Sequence, residues 1–376
     1  MKKYPLVASI ILSTALPSSA FAANVYMTEN ASFDIFGRAQ ALLMNGKGAY
    51  ADYPETNAAK DNSLLATSRI GFAARSKLIH GLDAIMMAEW DMPSSAQNKT
   101  HNRYMYVGVD AYQYGSLTAG TGDSAFYTVA GATDIYHYLK SRANDYFVMG
   151  DQQPGQIMYS LSALSWDLRM SYQSSKTEVN DTPFSLRNAG AIAISGKLTP
   201  DITIAYGIDY YDLTYQGDDH SIKAMDNYFG PMLKNDYNLA PEDIEGFTKS
   251  HRPGHKYDYG VALSYGILGQ GLYGAFVFTG TDYEYLKHQI YTYDLALNYS
   301  FTNGLGLAGG YSLQTYDNNA TVSDLNLSLY YKVSPSFKLF AEAQIDLNAD
   351  PEKLYSKEAV QYTAQDKFVL GAQYDF

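Results

Sequence analysis

The sequence predicts an all-β chain folded as a transmembrane, antiparallel, up-and-down β-barrel of sixteen strands. Three observations carry that prediction. Past residue 30, apolar and polar residues alternate with a period of two, so each run has one apolar and one polar face. The runs cluster near the 9–11 residues that a tilted spanning strand needs, and Tyr257, Tyr265, Tyr299, Phe301, Tyr331 and Phe376 gather at their ends. The polar face carries Arg, Asp, Glu and Ser in numbers no dry core could satisfy. A soluble sandwich or propeller also alternates, but it hides its apolar face inside.

The elements follow in order. Residues 31–44 open the set: Phe33, Ile35, Ala39, Ala41 and Leu43 face out, and Asp34, Phe36, Arg38 and Gln40 face the lumen. In 63–77, Ile70 and Phe72 outward put Arg69 inward, and in 81–92 Glu89 and Asp91 face inward. In 102–112, Tyr104 and Tyr106 outward put Arg103 inward. Strands at 115–122 and 153–162 flank a long loop, 123–152. In 164–175, Trp166, Leu168, Met170 and Tyr172 alternate with Asp167, Arg169 and Ser171. Then come 188–198, 201–216, 256–268, 270–280, 288–301, 304–317, 323–334, 336–348 and 364–376. Short turns such as Thr199-Pro200 and Thr302-Asn303-Gly304 take turns with longer polar loops, as expected for a barrel with one trimmed rim. No linker or fixed repeat divides residues 23–376, which read as one domain.

The start of the chain reads as an address. Lys2 and Lys3 precede an apolar stretch, Leu6 to Leu16, too short to span a bilayer, and Ala20-Phe21-Ala22 is a small–x–small cleavage pattern. Cleavage is expected after Ala22, for export to an oxidising compartment that suits a chain without cysteine. Removing 1–22 would make the chain, already at −12, two charges more negative.

Composition excludes several functions. The acidic balance disfavours nucleic-acid binding, and zero cysteines remove disulfides, thiolate zinc sites and cysteine nucleophiles. A mean hydropathy of −0.26 excludes a polytopic helical membrane protein. Gly304, Gly306 and Gly309 spell G-x-G-x-x-G, but they open a strand rather than a helix, so nucleotide binding is set aside. His251 and His255 are four apart, but Pro253 between them forbids the helix that would align them on a metal. No nucleophile–base spacing suggests an enzyme, and no cofactor or metal is implied.

Arginines are costly in hydrocarbon, so Arg38, Arg69 and Arg103 belong on one stretch of inner wall. Like charges on adjacent strands repel unless used or countered.

Motifs in the first third of the chain then resemble the trimeric general-diffusion porins of Gram-negative outer membranes. They are Asp34-Ile35-Phe36-Gly37-Arg38, Ser68-Arg69-Ile70-Gly71-Phe72, Glu89-Trp90-Asp91, Asn102-Arg103, Tyr114-Gly115-Ser116-Leu117 and Thr133-Asp134, with Gln373-Tyr374-Asp375-Phe376 at the end. The resemblance implies a third loop folded into the barrel and a water-filled channel passing ions and small hydrophilic solutes. It also implies a homotrimer in outer-membrane lipid and lipopolysaccharide, with Phe376 as the signal read by the barrel-assembly machinery. By the same resemblance Arg38, Arg69 and Arg103 face Asp134 across a constriction lined by Tyr138, with Lys140 and Arg142 close by and Glu89 and Asp91 on the wall. Tyr138 stands where the family usually has a second acid, and Thr121 where it has a basic residue, so weaker cation preference than the family norm is expected.

Small outward residues on the first four strands, Gly37, Ala39, Ala41, Ser68, Ala84, Ala88 and Gly108, suit protein–protein packing rather than lipid. Two alternatives stand beside diffusion. Thirty-six tyrosines suit a sugar-selective porin. The loop 217–255, unusually long, suits a non-channel barrel acting as adhesin or receptor through its outer loops.

Overall fold

The computed structural model describes residues 23–45, 63–93, 100–141, 150–174, 184–215, 230–240, 242–243, 254–284, 286–347, 349–350 and 366–376. Its strands are β1 (Ala23–Met27), β2 (Ala31–Asn45), β3 (Ser63–Ile79), β4 (Leu82–Pro93), β5 (His101–Asp110), β6 (Ser116–Gly122), β7 (Gln153–Ala163) and β8 (Trp166–Gln173). They continue with β9 (Phe184–Lys197), β10 (Ile202–Tyr215), β11 (His255–Ile267), β12 (Gln270–Tyr283), β13 (Ile290–Ser300), β14 (Leu305–Tyr316), β15 (Asn319–Lys332), β16 (Phe337–Asp346) and β17 (Lys367–Asp375). Each of β2–β17 pairs antiparallel with the next, and β17 pairs back onto β2, so sixteen strands close a barrel.

The alternation read from the sequence sets the walls. On β2, Phe36, Gln40, Leu42 and Met44 are buried inside while Ala39, Ala41 and Leu43 are exposed outside. Leu295, Leu297, Leu327 and Leu329 lie exposed on the outer surface, and Asn298, Asn326 and Gln344 are buried inside. An apolar outside and a polar inside are what a lipid solvent selects.

Three details differ from the sequence expectation. β1 was not foreseen. It covers the edge of β2 where β17 ends: Phe376 exchanges two backbone hydrogen bonds with Gly37 (2.8 and 3.0 Å), and Ala23 lies opposite Ile35. Without β1 that stretch of edge would be unpaired, which a membrane penalises. Asp317 and Asn318, at φ 47° and 60°, join β14 to β15 in a two-residue turn on the rim expected to carry only longer loops.

The third difference is on β5. Tyr104 is 6% exposed and Tyr106 half-buried, both facing inward, whereas Met105 (41%) and Val107 (63%) face out. A bulge is the cause: Glu89 lies opposite Tyr104 and Trp90 opposite Asn102, so Arg103 has no partner across the ladder. Arg103 and Tyr104 therefore both reach the inner side, and Gly108, in phase with Tyr104, leaves the outward set of small residues.

The third loop folds inward. Its short helix α1 (Tyr127–Ala130) packs on Ala191 and Ala193 of β9, Ala205 of β10, Ala262 of β11 and Val277 of β12. Gly207 and Gly260 complete this bay, since a Cβ on either would come within 3.1–3.2 Å of Val129. Further on, Leu139 packs with Leu42, Met44, Tyr330, Phe340 and Val369. Small side chains on the wall thus make room for the loop, which packs along β9–β12, β15–β17 and, through Leu42 and Met44, the end of β2.

Candidate pore constriction

Arg38, Arg69 and Arg103 do come together on the inner wall of β2, β3 and β5. Arg38 lies directly opposite Arg69 in the ladder, and Arg69 opposite Asp91. The sequence alone suggested three arginines waiting for charges across the bore. Instead β4, between them, supplies the partners. Arg69 Nε is 2.8 Å from Asp91 Oδ1 and 3.5 Å from Glu89 Oε1. Arg103 Nε donates to Glu89 Oε1 at 2.7 Å and its Nη1 to Asp91 Oδ2 at 3.2 Å. Two carboxylates are shared between two guanidiniums, a geometry that fixes side chains and leaves one of the three arginine charges uncompensated. Arg38 makes no ion pair among the described residues, and its Nε has no hydrogen-bond partner.

Around the ring, β11–β13 lie across from β3–β5. There the loop presents Asp134, exposed, accepting a hydrogen bond from the Tyr127 hydroxyl at 3.0 Å. Lys140 is exposed on the same loop. Tyr138 is half-buried, and its ring rests on the Leu42–Phe340 cluster rather than standing free in the bore. Arg142 lies outside the described residues.

The groups that hold the loop were missed by sequence reasoning. Glu342 on β16 accepts three consecutive backbone N–H groups, from His137 (2.6 Å), Tyr138 (3.0 Å) and Leu139 (2.9 Å). The His137 ring stacks on Phe340 at 5.0 Å, with Nδ1 3.4 Å from Glu342. The Ser124 hydroxyl donates to Asp209 (3.2 Å), and the Tyr273 hydroxyl donates to the Ala132 carbonyl (2.7 Å). Asp123, at the stem of the loop, accepts from the Tyr104 hydroxyl (3.1 Å) and from the Gln152 N–H (2.9 Å). The Arg103 guanidinium lies over the Tyr104 ring at 5.7 Å, so the arginine wall and the loop stem share one contact chain. Glu342 lies on the polar, inner face of β16, but nothing local links it to a loop some two hundred residues away.

A family model for Gram-negative porins matches residues 8–376. Outer membrane protein U of Vibrio vulnificus is 24% identical, with the whole of both chains covered. A monosaccharide porin of Halomonas sp is 25% identical over 73% of this chain and 79% of its own. Among solved structures, Salmonella typhi OmpF, in complex with daunomycin, has the same fold at a TM-score of 0.70 and 14% identity, covering 94% of this chain and all of its own. The barrel, its inward loop and the family match together place this chain in the Gram-negative porin family, as a diffusion channel of the outer membrane.

Proposed function

We propose that the passage between the arginine wall and the third loop is the channel's constriction, formed by Arg38, Arg69 and Arg103 on one side and Asp134 and Lys140 on the other. The observation that carries this is the loop's course: it is pinned to Asp209, Tyr273 and Glu342 on the wall, and across from it Arg103 and Asp91 keep 20% and 34% of their side-chain surface exposed. The transverse field there is weaker than three arginines alone would make it, because Glu89 and Asp91 neutralise two of them. Arg38 is then the guanidinium whose charge acts most fully on solutes. Selectivity is weak and set by Arg38 against Asp134.

Reversal potentials in a salt gradient test this. Asp134→Asn moves selectivity toward anions. Arg69→Ser moves it toward cations and raises conductance. Unmoved potentials in both variants would remove this loop and wall from the constriction.

A homotrimer packed through β2–β4 is supported by the outward Gly37, Ala39, Ala41, Ser68, Ala84 and Ala88; Gly37 already lies under the Phe376 ring. Mass measurement in mild detergent checks it, and monomer alone counts against it. Cleavage after Ala22 is supported by β1, since Ala23 is already paired with β2. Phe376 as an assembly signal, and contacts with lipopolysaccharide, follow from membership of the family. The chemistry proposed is passage, not catalysis.

The sugar-selective reading is favoured by the name of the Halomonas relative. Against it, the inward Tyr104 is buried under its neighbours and its hydroxyl is used by Asp123, so it offers no open stacking face. Current block by a sugar at sub-millimolar concentration would reverse this ranking.

A further inference from the structure

Between β10 and β11 runs the segment that, as sequence, best supported a barrel working through its outer loops. Its described part turns inward instead. Residues 230–237 form a helix whose Met232 and Leu233 are fully buried. The helix is held at its far end. The Tyr316 hydroxyl, from the inner face of β14, donates to the Asp236 carboxylate, which also accepts the Lys287 N–H at 3.1 Å. The Lys287 ammonium donates to the Asp236 carbonyl and sits over the Tyr237 ring at 4.5 Å.

The wall at this rim is covered as well. At the loop-side ends of β10–β14, the inward Tyr211, Leu213, Lys256, Asp258, Tyr283, Ile290 and Tyr316 are 0–2% exposed. Inward side chains near the mouth of a water-filled barrel should be wet. Lys256 and Asp258 form an ion pair at 2.5 Å with no exposed surface, and the ammonium lies over the Tyr211 ring at 4.4 Å. Excluding water from two charges costs several kcal/mol each, so such a pair persists only under a close protein cover. Across the mouth the wall is open: His101 and Asn102 are exposed, and the Asp91 side chain keeps 34% of its surface.

We infer that the 230–237 helix is a second constriction, in series with the third loop. It closes the β10–β14 side of the outer vestibule and confines solutes to the arginine wall before they reach the narrowest point. It filters by size rather than charge, because the Asp236 carboxylate is engaged by Tyr316 and Lys287. The inference deepens the channel reading and rests on it.

The test uses the full chain in planar bilayers and in liposomes swollen with mono-, di- and trisaccharides. Asp236→Ala should raise single-channel conductance by about 1.5-fold and the trisaccharide-to-monosaccharide swelling ratio several-fold, with the reversal potential unmoved. Tyr316→Phe should do the same to a smaller degree. The chain has no cysteine, so Leu233→Cys can be probed with a membrane-impermeant thiol reagent. It should be protected on its own and react once Asp236→Ala is added. Unchanged swelling ratios in a conducting Asp236→Ala channel, or prompt labelling of Leu233→Cys alone, would overturn the second constriction. A wild-type barrel without conductance would instead strike the channel reading itself.

Discussion

At the height of the third loop, the wall of β2–β5 carries long charged side chains on its inner face, whereas β9–β11 carry alanine and glycine there. Both obey the same inside–outside alternation, so the difference is not one of fold. On the first wall, Arg69, Arg103, Glu89 and Asp91 satisfy one another, and Arg103 and Asp91 keep surface exposed to the bore. On the second, Ala191, Ala193, Ala205, Gly207, Gly260 and Ala262 provide a recess, and the third loop fills it with Phe126, Val129 and Ala130. One wall acts through what its side chains carry, the other through the room its side chains leave. A pore can therefore be narrowed on one side without lengthening any side chain on the other.

That contrast can be broken most severely at Glu342. Glu342→Ala leaves three loop N–H groups without their acceptor, each worth roughly 1–3 kcal/mol when left unsatisfied. The loop should leave the wall, and single-channel records should show larger, noisier currents. Glu342→Gln, which keeps a carbonyl acceptor, should restore most of the quiet trace. Quiet, wild-type currents from Glu342→Ala would show that the recess alone retains the loop.

Filling the recess sharpens the comparison from the other side. Gly207→Leu overpacks the contact with Phe126 and Val129, at a cost of about 1–3 kcal/mol. The helix α1 should be displaced toward the arginine wall, so conductance falls while the barrel still resists heating in detergent. A matching substitution on the outer face, Ile208→Leu, should leave conductance as it was. If Gly207→Leu conducts normally, the recess does not set the loop's position.

The smallest effect is expected where the arginine wall meets the stem of the third loop. Tyr104→Phe removes the hydrogen bond to Asp123, worth on the order of 1 kcal/mol, but keeps the ring under Arg103. Thermal stability should fall slightly and the reversal potential should hold. A large change in selectivity from this variant would mean that the Arg103–Tyr104–Asp123 chain, not the Arg38–Asp134 pair, governs ion preference.

Much of this molecule follows from a period of two. Sixteen closing strands, their inner and outer faces, the trimmed rim and the inward direction of Arg38, Arg69, Glu89 and Asp91 are all local consequences of alternation beside a lipid solvent. The sequence determined these by itself because each strand must present one face to hydrocarbon, whatever its neighbours do. It could not show that a bulge opposite Arg103 turns Tyr104 and Tyr106 inward, since a bulge is a mismatch between two strands rather than a property of one. Nor could it show that β4 neutralises two arginines, that Glu342 grips a loop about two hundred residues away, or that the 230–237 helix enters the mouth. Those are contacts between segments distant in the chain. Only the closed barrel, which brings every strand around one bore, decides which charges meet there and which loop lies over them.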